Sequence, residues 1–341
     1  MRLLKQKISR KKFLHILRSV VAGGGVLGVS GFILRKNYVQ QQTMRGDVGF
    51  GSNHDAMGGD DTFVSPYKLV FSFSVPDRIE AFELAGENLI AATSNNIFIY
   101  DRMGSMLNNF SVRSNLRDIT TDREHIYLLF STHIEVYSHE GEWLREWKAY
   151  DEASDFCSFT VAHQDLFVTD AAKKNISKFT TEGDFVRFID SPNKFVIPSY
   201  TFGITYAEGI LYCSNSGRHQ VEKYSLEGEY LGAFGKAGGA AGTFCGCCNP
   251  VHLTNTSSGD IVTSEKGTPR ISCYSAEGEF RSMLLDNKTL GGGYAAYDVK
   301  IHHDRLFVAG ENLISIFQYD SMLAPKSACS GCVAGCPLRN T

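Results

Sequence analysis

Tyr224-Ser-Leu-Glu-Gly-Glu-Tyr-Leu-Gly-Ala-Phe-Gly235 is the stretch on which the fold turns. Tyr224 closes an apolar strand, Gly228 sits in a short turn, and a second strand runs out to Phe234. Glycine supplies the positive φ that a tight hairpin needs. Upstream lies one more short strand, Ile210-Leu-Tyr-Cys-Ser-Asn215. It recurs as Asn88-Leu-Ile-Ala-Ala-Thr93, His125-Ile-Tyr-Leu-Leu-Phe130 and Asp165-Leu-Phe-Val-Thr-Asp170, then as Asp260-Ile-Val-Thr-Ser-Glu265 and Arg305-Leu-Phe-Val-Ala-Gly310. Each copy is followed by a strand ending in an aromatic: Tyr100, Tyr137, Phe179, Tyr224, Tyr274 and Phe317. After five of them a glycine stands at a fixed offset, at Gly104, Gly141, Gly183, Gly228 and Gly278. The aromatic-to-aromatic spacings of 37, 42, 45, 50 and 43 residues are the length of a four-stranded blade.

The sixth copy lacks its turn and its outer strand. Lys68-Leu-Val-Phe-Ser-Phe-Ser-Val75 is an unpartnered strand at the other end of the repeat region. Circular closure, with 68–75 pairing against 313–318, removes both exposed edges at once. The expected fold is all-β, a six-bladed β-propeller over residues 67–320. The unit at Tyr224–Gly235, with the Gly-rich loop and Phe244 after it, resembles the NHL repeat, and the resemblance extends more loosely over 67–320. It implies a six-bladed propeller that serves as a binding platform or, in some relatives, as an enzyme. Fold alone does not decide between them.

Residues 1–36 read as an export signal or membrane anchor. They hold nine Lys or Arg and no Asp or Glu, and Ser19–Leu34 is an uncharged, Gly-containing apolar run. Basic residues before an apolar segment predict a cytoplasmic N-terminus. Ser9-Arg10-Lys11-Lys12-Phe13-Leu14 resembles the twin-arginine export signal, with Lys11 in place of the second arginine. An ordinary signal-anchor helix is the alternative. Contact with the membrane through residues 13–34 is expected, and a periplasmic location or one on the outer face of the cytoplasmic membrane. Residues 37–66 have no periodicity and read as a flexible tether.

Past residue 36 the chain holds 25 basic against 37 acidic residues. A body of that charge is repelled by a polyphosphate backbone, so nucleic acid is not an expected partner.

Nine cysteines carry most of the functional signal. Cys245-Gly-Cys247-Cys248-Asn-Pro-Val-His252 joins the outer strand of the fourth blade to the inner strand of the fifth, near one mouth of the channel. Cys329-x2-Cys332-x3-Cys336-Pro337 lies in a C-terminal tail, residues 321–341. Three closely spaced cysteines with a Cys-Pro ending match part of an iron–sulfur ligand run, which needs a fourth thiolate. Cys247 or Cys248 is the expected donor, with Cys245 and His252 as weaker candidates. The expected cofactor is a [4Fe-4S] cluster. Structural zinc, disulfides and free thiols are the competing readings.

The remaining cysteines, Cys157, Cys213 and Cys273, fall within strand patterns as small core residues. His252, His302 and His303 fall on inner strands as polar channel lining. Asp170, Glu265 and Lys266 read as turn residues.

The expected function is electron transfer or assembly beside a membrane redox complex, its protein partner. The rivals are a binding platform with disulfide-bonded cysteines and a metal-dependent propeller lyase or hydrolase.

Overall fold

A computed structural model describes residues 63–323. The expected signal helix, most of the tether, and Cys329, Cys332 and Cys336 lie outside the described residues. Blade 1 is β2 (Ile79–Ala85), β3 (Asn88–Thr93), β4 (Asn96–Tyr100) and β5 (Met106–Ser111). Blade 2 is β6 (Asp118–Thr121), β7 (His125–Leu129), β8 (His133–Ser138) and β9 (Trp143–Lys148). Blade 3 is β10 (Phe156–Ala162), β11 (Asp165–Asp170), β12 (Asn175–Thr180) and β13 (Phe185–Ile189). Blade 4 is β14 (Ile204–Ala207), β15 (Ile210–Asn215), β16 (Gln220–Ser225) and β17 (Tyr230–Phe234). Blade 5 is β18 (His252–Asn255), β19 (Ile261–Glu265), β20 (Arg270–Tyr274) and β21 (Phe280–Leu285). Blade 6 is β22 (Asp298–His302), β23 (Arg305–Gly310), β24 (Leu313–Tyr319) and, from the start of the domain, β1 (Tyr67–Ser74). Among the described residues no helix is long and apolar enough to cross a membrane.

Circular closure is as expected: β1 pairs antiparallel with β24, from Tyr67 opposite Tyr319 to Ser74 opposite Leu313. The packing explains the repeat. The second strand of each blade is buried nearly throughout on both faces, whether its residues are apolar, as Leu89-Ile-Ala-Ala92 in β3, or polar, as Thr263-Ser-Glu265 in β19. Leu89 and Ala91 of β3 pack toward blade 6, while Ile90 and Ala92 pack toward blade 2. The same division gives six apolar cores, one in each interface between neighbouring blades.

The repeated turn glycines do more than supply a positive φ. A Cβ on Gly141 would stand 2.5 Å from the Phe110 ring of the preceding blade, and one on Gly278 would stand 2.3 Å from Phe234. Gly104, Gly183 and Gly228 meet Phe73, Trp147 and Ile189 in the same way. Each turn is thus laid on a large side chain of the preceding outer strand. Phe73 of β1 serves blade 1 as Phe110 serves blade 2, so the closing strand completes the pattern of contacts as well as the sheet.

Candidate functional site

Two groups of chemistry-bearing residues meet around the channel. The first is the loop 235–251 between β17 and β18. Its base is a buried ion pair. Arg270 Nε donates to Glu265 Oε1 at 2.6 Å, and Nη2 donates to Glu265 Oε2 at 3.1 Å. Arg270 Nη1 also reaches Gly239 O at 3.1 Å, and Nη2 donates to Thr243 O. Burial works against the Arg270 charge, but Glu265 outweighs it and holds its pKa above the usual guanidinium value. The other Glu265 contact is the Cys245 N–H, at 3.1 Å. Glu265, expected in a turn, is instead the last residue of β19 and fully buried. Its carboxylate is what satisfies the loop backbone and the guanidinium together.

Asn249 pins the other half of the loop. Its Nδ2 donates to Cys245 O (2.6 Å) and Lys266 O (2.9 Å), and its Oδ1 accepts from Lys266 N (2.9 Å). The Asn249–Pro250 peptide is cis. Gly203 lets this segment approach blade 4, since a Cβ there would lie 2.6 Å from Val251 O.

Between these anchors the cysteines divide. Cys245 and Cys248 are buried, whereas Cys247 is exposed. Cys247 Sγ and Cys248 Sγ stand 3.2 Å apart. The Cys248 sulfur, with some burial, holds the Cys247 thiol above its usual pKa, against the pull of Lys266. Burial and then Glu265 push Cys245 up, against Arg270. Among the described residues, Cys157, Cys213, Cys245, Cys247 and Cys248 stand outside any disulfide, and no group of three His, Cys, Asp or Glu could hold a metal ion. Cys213 and Cys273 are buried in strands as expected, and Cys157 is partly buried in β10.

The second group, apart from His252, was not anticipated. Strand register makes Ala81, Asp118, Ser158, His252 and Asp298 equivalent positions near the start of inner strands β2, β6, β10, β18 and β22. Several bridge to the next blade. Asp118 Oδ2 accepts from Ser158 Oγ at 2.6 Å and from Phe159 N at 3.2 Å, and Asp298 Oδ2 accepts from Phe82 N at 3.1 Å. Two residues further along, Lys300 Nζ donates to Glu83 Oε2 at 2.9 Å. His252 Nδ1 lies 3.8 Å from Asp298 Oδ1.

These groups are ringed by protein yet open to the channel. The side chains of Lys300 and Asp298 are 18% and 15% exposed. Burial pushes Asp118 up to about 7, with Asp298 adding to the rise and Lys300 and Ser158 opposing it. Burial lowers His252, helped by Lys300 and Lys266 and opposed by Asp298, so its imidazole is neutral at pH 7. The signal was present in the sequence as the similar starts Asp118-Ile-Thr and Asp298-Val-Lys, which become visible only once the inner strands are aligned.

The histidines do not come together. His252 opens β18 at the mouth beside the cysteine loop, whereas His302 ends β22 and His303 sits in the turn at the far end. That turn, with Asn255, Thr256 and Ser257, lines a cavity of about 240 Å³. Lys266 Nζ donates to Thr201 Oγ1 at 3.2 Å, and Asp170 is buried at the end of β11, where its Oδ1 accepts three backbone N–H groups.

The Asp118 carboxyl makes stability depend on pH. Its folded pKa lies above the unfolded value, so between about 4 and about 7 the unfolded chain binds fewer protons than the folded one. Stability from this group is therefore fully present below the unfolded pKa and declines as pH rises through that window. Asp118→Asn should flatten the decline in urea midpoints measured from pH 4 to pH 8. An unchanged pH profile in the variant would remove Asp118 as its source.

No family model matches the chain, and no curated protein matches it. Solved structures do. The virginiamycin B lyase of Staphylococcus aureus matches at a TM-score of 0.53 and 12% identity, covering 74% of this chain and 99% of that one. A streptogramin B lyase matches at 0.52 and 15%, covering 74% and 97%. A protein of unknown function from Bacteroides thetaiotaomicron matches at 0.54 and 11%, covering 74% and 72%. At these identities the likeness is one of fold. With the six four-stranded sheets and the closing pairing of β1 with β24, it makes this chain a six-bladed β-propeller.

Proposed function

We propose that this chain is an exported propeller that carries an iron–sulfur cluster at the mouth of its channel and serves electron transfer or assembly beside a membrane redox complex. The observation that carries the reading is Cys247: an exposed thiol on a loop otherwise fixed by Asn249 and the Glu265–Arg270 pair. An anchored loop with one exposed cysteine suits the fourth ligand of a site whose other three are Cys329, Cys332 and Cys336. Cys248 is 2% exposed and less available for that role.

Chain length sets how far the tail cysteines can reach. The Tyr319 N–H donates to Asp304 O at 2.8 Å, so the chain leaves blade 6 beside the β22–β23 turn, on the side away from the cysteine loop. At ~3.5 Å per extended residue, Cys329, Cys332 and Cys336 have reaches of roughly 20, 30 and 45 Å from Leu323. A six-residue strand is about 20 Å long, which takes up the whole reach of Cys329 and leaves Cys332 and Cys336 roughly 10 and 25 Å for the further distance toward the loop.

The test is the content of iron and labile sulfide in protein recovered anaerobically from the exported fraction. Roughly four irons per chain are expected, falling to near zero in Cys332→Ser and in Cys247→Ser. Cys213→Ser should retain them, because that thiol is buried inside β15. Iron-free wild type after anaerobic reconstitution with iron and sulfide would end the cluster reading, and accumulation of the chain in the cytoplasm would end the export reading.

The channel supports a second reading, an acid–base lyase. Asp118 with its pKa raised to about 7, neutral His252 and the Lys300 cation line one passage, a set able to bind an anion and move a proton. Two of the fold neighbours are themselves named as lyases. Asp118→Asn separates the readings, since it should abolish channel chemistry and leave iron content unchanged.

A further inference from the structure

The cluster reading needs one sulfur from the loop, and the loop presents two. Cys247 Sγ and Cys248 Sγ converge to 3.2 Å, one exposed and one 2% exposed. Their surroundings are set by contacts that do not involve either sulfur. His219 Nε2 and Gly246 O lie 2.6 Å apart on one side, and Asn249 holds the backbone of Cys245 and Lys266 on the other.

The separation of the sulfurs selects among ions. With thiolate bonds of about 2.3 Å, sulfurs 3.2 Å apart subtend an angle of about 90° at an ion bound to both. A tetrahedral ion at that bond length sets its sulfurs about 3.8 Å apart, and a linear two-coordinate ion about 4.6 Å apart. An angle near 90° is the preference of a pyramidal trivalent centre, whose bonds are built from p orbitals with a lone pair opposite.

We propose that Cys247 and Cys248 form a chelating dithiol for a monosubstituted trivalent arsenical. The reaction is a condensation. Two S–H bonds and the As=O bond break, two As–S bonds form, and one water leaves. Arsenic stays trivalent and both sulfurs stay at the thiol level, so no oxidant or reductant takes part. The exposed Cys247 receives the reagent, and Cys248 closes the ring from a position already within bonding range. Pre-held sulfurs give the second bond a high effective concentration, which separate monothiols in solution do not match. The site shares Cys247 with the cluster reading but takes Cys248 as its second sulfur and none from the tail, so it is the chemistry of the loop when no cluster occupies Cys247.

The test uses the full chain with Cys329, Cys332 and Cys336 replaced by Ser, so that only the loop offers a close pair of cysteines in sequence. Phenylarsine oxide is the probe and intact mass the readout. One adduct per chain is expected, stable to millimolar glutathione and removed by the dithiol 2,3-dimercaptopropanol. In that background Cys247→Ser and Cys248→Ser should each abolish the glutathione-resistant adduct while the thermal midpoint stays within a few degrees. Absence of the adduct in the folded parent overturns the proposal. So does an adduct that survives Cys248→Ser, which would assign the second sulfur to Cys245. Iron content, read on the chain with its tail cysteines intact, stands or falls separately.

Discussion

A chain that begins at Asp77, lacking β1, is expected to lose most of the stability of the propeller. Tyr67 and Val75 are buried at 8% and 1% exposure, and Phe71 and Phe73 pack on the core between blades 6 and 1. At about 2 kcal/mol per large apolar side chain, these four residues contribute on the order of 5–8 kcal/mol. A domain of this kind has about 5–15 kcal/mol in total. The deletion also strips β24 of its antiparallel partner and takes Phe73 from under the Gly104 turn, so damage reaches blade 1 as well as blade 6. Urea unfolding should show a midpoint far below that of the chain starting at residue 63, or no cooperative transition. Equal midpoints would mean that β1 is an ornament on an already closed ring.

Arg270→Ala should cost about 3–5 kcal/mol, the usual penalty for removing one partner of a buried ion pair. Glu265 would be left in the interior with no cation, and the carbonyls of Gly239 and Thr243 would lose the guanidinium as donor, while Ala240 O would keep the Thr243 hydroxyl and N–H. Because Glu265 also accepts from the Cys245 N–H, the damage should extend to the cysteine loop. Faster alkylation of Cys245 and Cys248 in the folded variant would report it. Glu265→Gln should be milder, since an amide keeps an acceptor for the guanidinium and for Cys245. If Arg270→Ala unfolds at the wild-type urea concentration, the pair does not anchor the loop.

Much of the architecture is legible in the residues themselves. The apolar second strands announce burial on both faces, the aromatics mark blade length, and the unpartnered stretch at 68–75 is recognisable as the strand that the last blade lacks. Those signals are local and periodic. The turn glycines were legible only in part. Their positive φ follows from the hairpin, but their contact with Phe73, Phe110, Trp147, Ile189 and Phe234 belongs to the preceding blade, some 30 to 45 residues away for the four within the repeat and on the closing strand for Gly104.

The site divides in the same way. The sequence placed Cys245, Cys247 and Cys248 on a loop at one mouth of the channel, because loop positions follow from counting strands. It did not reveal that Glu265, read as a turn residue, is the buried base of that loop, nor that Cys247 is exposed while its neighbour is not. Asp118, Ser158, Asp298 and Lys300 drew no attention at all. Each is an ordinary polar residue near the start of a short strand, and Asp118, Ser158 and Asp298 are separated in sequence by 40 to 180 positions. The repeat by itself determined six blades and their closure, since period, strand polarity and edge satisfaction are properties of the chain. Only the tertiary structure decided which polar residues share one channel and which sulfur faces water, because both depend on radial packing that brings the starts of six distant strands around one axis.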